Sequence, residues 1–278
     1  MEIAPVAGGL GAEISGIDLA RLGDGDVAQL RRAFTDHLVL FFRDQKLEPG
    51  QQVSLTRRFG PVLRVPYVAH LPEHPDIIAV LKEADERQIS TFGNAWHSDF
   101  SFLEKPPAGS LLYALEIPAY GGDTLWSNMY MAYETLSEGM RRMLDGLKAI
   151  HTGKPYGKEG GVGIKGSRSI QITRGDAEAD REMAHPVVRT HAESGRKALF
   201  VNAIYTTRFE GMTEAESRPL LDFLFEHAIR PEFTCRFRWS PGALAIWDNR
   251  CTLHYAVNDY DGSRRLLHRT TFAGERPV

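Results

Sequence analysis

The sequence predicts a mainly β fold, a sandwich or jelly roll with helices packed outside it. Short apolar runs of strand length recur through the middle and end of the chain. Glycine and proline turns separate them, and only a few stretches carry helical spacing. In the first third, Val27, Leu30 and Phe34 fall at helical spacing after the turn-like Gly23-Asp24-Gly25. The continuous run Leu38-Val39-Leu40-Phe41-Phe42 reads as a buried strand. Pro49 opens a second helix to about Phe59, where Gly60-Pro61 stops it. Strands are expected at Ile77–Lys82, Ser110–Leu115, Thr124–Ser127, Val187–Thr190, Leu199–Asn202, Thr234–Trp239, Leu244–Trp247 and Leu266–Phe272. Thr213-Glu214-Ala215-Glu216 is a capping box, in which hydroxyl and carboxylate satisfy each other's orphan amides. Leu220, Leu221, Leu224 and Ala228 supply the apolar face of the helix behind it. No internal repeat and no Pro/Ser linker divides the chain, so residues 1–278 read as one domain.

Composition narrows the class. Hydrophobic residues make up 42% and charged residues 25%, the balance of a globular chain and not of a disordered one. A net charge of -3 argues against a nucleic-acid surface, which needs a basic excess. No stretch approaches the roughly 18 apolar residues of a membrane helix, and the start MEIAPVAGG has no basic-then-apolar signal pattern. Two cysteines, Cys235 and Cys251, exclude a disulfide scaffold and suit a reducing cytoplasm.

Residues 153–166 stand apart, with glycine at 153, 157, 160, 161, 163 and 166 interleaved with Lys154, Lys158 and Lys165. The string 161–166 matches G-x-G-x-x-G. A dinucleotide site requires an apolar strand before that motif and a helix after it, and neither is present. The expectation is a lid loop near 153–183.

One constellation carries chemistry. His97 and Asp99 sit two apart in Trp96-His97-Ser98-Asp99, so in an extended segment both side chains point to one side. An imidazole nitrogen with a carboxylate oxygen suits a divalent metal such as ferrous iron. His254 follows 155 residues after Asp99. Two histidines and one carboxylate on one face leave metal positions open for a chelating co-substrate and dioxygen, whereas a structural site is closed by four ligands. Arg265 and Arg269 lie 11 and 15 residues after His254. Their even separation puts both on one strand face, and guanidinium forks there suit two anionic ligands.

These residues carry a resemblance. H-x-D, the distant WDNRxxxH and the trailing RRxxHR resemble the iron- and 2-oxoglutarate-dependent taurine dioxygenase / 2,4-dichlorophenoxyacetate dioxygenase family. Similar segments run through the chain: GGLGAEISGID at 8–18, FRDQ at 42–45, RFG at 58–60, PPA at 106–108, GGDTLW at 121–126 and HPVVRTH at 185–191. The resemblance implies a double-stranded β-helix, a cupin-like jelly roll, with Fe(II) on His97, Asp99 and His254. It implies that Thr124 and Arg265 hold the distal carboxylate of 2-oxoglutarate, and that Arg269 faces the anionic end of the primary substrate. O2 is the further co-substrate, and a homodimer or homotetramer is the expected assembly. The closing segment Trp247 to Arg269 is most similar to taurine dioxygenase. The family's taurine-holding His and Asn fall at Val65 and Gly93, while 210–239 and 58–66 look closer to aryloxypropionate dioxygenases. The implied substrate is a small carboxylate, sulfonate or sulfate with an apolar portion, and hydroxylation beside oxygen or sulfur would fragment it.

Two other functions use the same residues. A zinc hydrolase would activate water on the same three ligands and would need neither Arg265 nor Thr124. A non-catalytic jelly roll would sense a small acid, since fold alone never proves activity.

Overall fold

Antiparallel pairing of the apolar runs builds the frame of the computed structural model, which describes residues 1–87, 93–158, 169–172 and 175–278. The chain opens with β1 (Glu2–Pro5), β2 (Ala12–Ser15), α1 (Asp24–His37), β3 (Val39–Phe42), α2 (Pro49–Phe59) and β4 (Ile78–Lys82). Next come β5 (Gly109–Glu116), β6 (Thr124–Asn128), α3 (Met129–Glu134), α4 (Glu138–Leu144) and β7 (Lys148–His151). β8 (Met183–Pro186), β9 (Val188–Thr190), β10 (Lys197–Leu199), β11 (Thr206–Phe209) and α5 (Glu214–Ala228) follow. The chain closes with β12 (Thr234–Phe237), β13 (Leu244–Asp248), β14 (Thr252–Ala256) and β15 (Arg265–Phe272). Seven strands form one sheet in the order β1-β2-β3-β13-β5-β15-β4, and β12-β6-β14 form a smaller one.

The inner strands β3, β13 and most of β5 are buried on both faces, which explains their unbroken apolar runs. Leu40, Phe42, Leu244 and Ile246 face α1 and α2, where Leu30, Phe34, Leu55 and Phe59 complete one core. The alternate residues Val39, Phe41, Ala245 and Trp247 face the smaller sheet. There Phe41 stacks on Phe237 at 4.2 Å and meets Trp126 edge-on at 5.3 Å. Together the two sheets make the β-sandwich layer of a jelly roll, open at its edges and not closed into a barrel. Both early helices lie where their spacing predicts, and the Thr213–Glu216 capping box opens α5.

Two expected strands end early, and of these the one expected over Thr234–Trp239 stops at Phe237. Of Leu199–Asn202 only Leu199 is strand, because the Asn202 carboxamide accepts from the amides of Ile204 and Tyr205 and turns the chain. The strand bearing His254, β14, goes unrecognised in the sequence because its polar residues Thr252 and His254 break the apolar pattern. The G-x-G-x-x-G string and most of the glycine-rich stretch lie outside the described residues. Beside it, Ser169 donates through its amide and hydroxyl to Glu86, and Ile172 bridges to Val68. Among the described residues no helix is long and apolar enough to cross a membrane.

Two fully buried histidines, His151 on β7 and His185 on β8, belong to a third sheet of order β11-β7-β8. Burial pushes His151 down to about 3 and His185 to about 4. Between those values and the ordinary 6.5 the unfolded chain binds protons that the folded one refuses, so stability falls as pH drops below 6.5. Each histidine contributes up to about 1.4 kcal/mol per pH unit. Urea unfolding of metal-free protein from pH 7 to 5 should show this loss, with a shallower slope in His151→Asn. An unchanged slope in that variant would assign the acid sensitivity elsewhere.

Candidate metal centre

His97 and His254 are brought together by backbone, not by side chains. The His97 amide donates to the His254 carbonyl at 3.1 Å, and the His254 amide donates to the His97 carbonyl at 2.8 Å. This isolated antiparallel bridge sets the two imidazoles side by side, ring centres 4.2 Å apart. Trp247 packs on His254 at 5.0 Å, and Ser98 ties its segment to the Asn249 carbonyl at 2.7 Å. His97 Nδ1 lies 2.7 Å from the Ala95 carbonyl, which can only accept, so Nδ1 carries the proton and Nε2 keeps its lone pair. Burial, and then the neighbouring His97, drive the His254 imidazole well below its ordinary value. A neutral imidazole is what a metal requires.

Asp99 divides its two oxygens between two tasks. Oδ1 lies 3.6 Å from His97 Nε2 and 3.6 Å from His254 Nε2. Oδ2 lies 2.7 Å from Arg269 Nη2 and accepts from Ser110 at 3.1 Å. Burial alone would raise this carboxyl, but Arg269, His254 and His97 outweigh it and hold Asp99 well below the usual carboxylate range. The three potential ligand atoms all lie within 4.8 Å of one another. Two neutral nitrogens and one ionised oxygen fit Fe(II), and three protein ligands leave positions free.

Arg265 and Arg269 share the buried face of β15, as their spacing predicts, but their surroundings differ. Arg265 is buried among Trp239 and Tyr260, and its Nε and Nη2 have no hydrogen-bond partner. A buried guanidinium with two idle donors is costly unless an anion joins it. Gly122 (φ +70°) runs so close that a Cβ there would come within 2.9 Å of Arg265 Nε. Thr124, two residues on, begins β6, and the β6–β14 register sets it two residues along from the partner of His254. Arg269 has an anion already. Its Nη2 bonds Asp99 and Ser110, while its Nε is buried without a partner.

Sequence reasoning overlooked Ser110. Fully buried on β5, it donates to Asp99, accepts from Arg269, and lies 3.3 Å from the Thr271 hydroxyl. A serine heading the apolar run Ser110–Tyr113 was the only sequence signal. Aromatic side chains stand beside the histidines: Tyr205 lies edge-on to His97 at 6.5 Å, backed by Phe102 at 5.0 Å.

A second cluster, His191, Asp248 and Cys251, is also compact enough for a metal. Arg250 forks onto Asp248 at 2.9 and 2.7 Å, and His191 donates to it at 3.0 Å. Burial raises the Cys251 thiol far above its ordinary value. With a guanidinium on the carboxylate and no thiolate, this group is a structural network.

The chain matches the model of the family described as "Taurine catabolism dioxygenase TauD, TfdA family" over residues 2–271. It is 36% identical to an alpha-ketoglutarate-dependent sulfate ester dioxygenase of Pseudomonas putida, covering 100% of this chain and 91% of that protein. It is 37% identical to the alpha-ketoglutarate-dependent 2,4-dichlorophenoxyacetate dioxygenase of Cupriavidus pinatubonensis, covering 94% and 93%. Among solved structures, a taurine dioxygenase from Burkholderia xenovorans superposes with a TM-score of 0.83 at 36% identity, covering 100% of this chain and 92% of that one.

Asp99→Ala should cost more than a ligand. It strands Arg269 as a buried, unpaired cation, a change of about 3–5 kcal/mol. Asp99→Ala/Arg269→Leu should recover much of that stability while still binding no metal. Thermal unfolding checks it, and a double variant no more stable than the single would show that the ion pair is not what Asp99 supports.

Proposed function

The chain belongs to the taurine catabolism dioxygenase TauD, TfdA family, and on that premise we propose how its own residues divide the reaction. It is an Fe(II)- and 2-oxoglutarate-dependent dioxygenase that hydroxylates a small anionic substrate, releasing succinate and carbon dioxide. The zinc-hydrolase and acid-sensor alternatives find no support in its relatives. Iron, 2-oxoglutarate and O2 together supply the oxidising power that inserts one oxygen atom into a C–H bond.

His97 Nε2, Asp99 Oδ1 and His254 Nε2 hold the metal. Arg265, with two idle buried donors, takes the distal carboxylate of 2-oxoglutarate together with the Thr124 hydroxyl. The observation that carries this reading is that unsatisfied cation beside a compact His–Asp–His cluster. Arg269 keeps Nη2 on Asp99 and offers its unpaired Nε to the substrate anion. Phe102 and Tyr205 line the apolar side of the site and exclude water from the reacting carbon. These features favour a carboxylate, sulfonate or sulfate ester with an apolar body, and the hydroxylated product then fragments. Function in the cytoplasm as a homo-oligomer completes the proposal.

The test is succinate release with Fe(II) and 2-oxoglutarate across taurine, alkyl sulfates, alkyl sulfonates and aryloxyalkanoates. Apolar anions should turn over, and their neutral esters or amides should be poor. Arg265→Lys keeps the charge but loses the fork, and should weaken 2-oxoglutarate by about 1–3 kcal/mol. Arg269→Ala should raise the KM of the primary substrate, leave 2-oxoglutarate affinity nearly intact and increase uncoupled succinate. Esters turning over as well as acids, or loss of 2-oxoglutarate affinity in Arg269→Ala, would exchange or remove these roles.

A further inference from the structure

Resting on the assignment of Thr124 and Arg265 to the co-substrate carboxylate, we propose that Trp239 is a positioning residue for 2-oxoglutarate. Its indole N–H occupies one side of the Thr124 hydroxyl and directs that hydroxyl's proton toward the carboxylate.

Trp239 Nε1 lies 3.0 Å from Thr124 Oγ1, and both side chains are buried. An indole N–H can only donate, so Oγ1 must accept. The single Thr124 proton therefore cannot point at Trp239. Among the described residues no other hydrogen bond to Thr124 Oγ1 is made, so a donor in a dry site is left without an acceptor. Two more idle donors, Nε and Nη2, belong to Arg265, whose Cζ lies 6.0 Å from the Trp239 ring. A carboxylate has the acceptor capacity for all three and no proton to give in return.

Sheet register holds the indole in place. Phe237 on β12 pairs directly with Thr124 on β6, and Trp239 follows two residues later. Phe237 meets the indole edge-on at 5.1 Å and 87°, which fixes the ring plane. Trp239 thus touches neither substrate nor metal in this scheme. It acts through Thr124, by removing the hydroxyl rotamers that would otherwise be searched when the carboxylate arrives.

A double-substitution cycle separates this from simple packing. 2-Oxoglutarate is titrated anaerobically by calorimetry into the Mn(II)-loaded wild type, Trp239→Phe, Thr124→Val and the double variant, with Arg265→Lys as a control. Trp239→Phe keeps an aromatic ring and loses the N–H. It should weaken 2-oxoglutarate about 3–10-fold, the span of one neutral hydrogen bond. The double variant should bind no more weakly than Thr124→Val alone, because the indole has nothing left to direct. In turnover, Trp239→Phe should raise the KM for 2-oxoglutarate and leave kcat and the KM of the primary substrate unchanged. An equal loss on removing the N–H in both backgrounds would make Trp239 a packing residue and overturn the inference. Wild-type affinity in Trp239→Phe with weakening in Arg265→Lys would overturn it alone. Wild-type affinity in Arg265→Lys and Thr124→Val would overturn the anchor assignment beneath it.

Discussion

The site depends on one carboxylate that faces two ways. Asp99 keeps Oδ2 on the buried guanidinium of Arg269 and presents Oδ1 between two imidazole nitrogens. Neither half is stable alone. A buried Arg269 without Asp99 is an uncompensated cation, and Asp99 without Arg269 is a buried anion crowded by lone pairs. Ser110 bonds both partners, so the carboxylate keeps one donor even when Arg269 turns part of its fork to another anion. Under the proposed roles, a single guanidinium would stand between metal ligand and substrate anion, with Nη2 on Asp99 and Nε unpaired.

The sandwich exists to make that meeting possible. β15 carries both arginines on the large sheet, and β14 carries His254 on the small one. The layer of Phe41, Trp126, Phe237 and Trp247 spaces the two sheets apart. His97 and Asp99 belong to neither sheet and reach the site through one backbone bridge to β14. The pairing of His97 with His254 therefore rests on two main-chain hydrogen bonds, while Asp99 and Arg269 are held by side chains.

Much of this was legible in the sequence, for physical reasons. Runs such as Leu38–Phe42 and Leu244–Trp247 announce themselves because both faces of their strands are buried. The even spacing of Arg265 and Arg269 states that they share a face, and they do. It does not state which anion each one meets, because Asp99 arrives from a segment 166 and 170 residues earlier. β14 was illegible because its function, carrying Thr252 and His254 inward, erases the pattern by which strands are read. Ser110 was illegible for the converse reason: a polar residue in a buried strand has meaning only once its partners on β15 and beside His97 are known. The family fingerprints supplied roles that spacing alone left open.

The most direct measurement is a crystal structure of the protein with Mn(II) and N-oxalylglycine, a non-reacting mimic of 2-oxoglutarate. The expected result is the ion on His97 Nε2, Asp99 Oδ1 and His254 Nε2, with Asp99 Oδ2 still bonded to Arg269 and Ser110. The distal carboxylate should lie on Arg265 and Thr124. Bidentate coordination by Asp99 with Arg269 released from it, or a metal bound at other residues, would contradict the account.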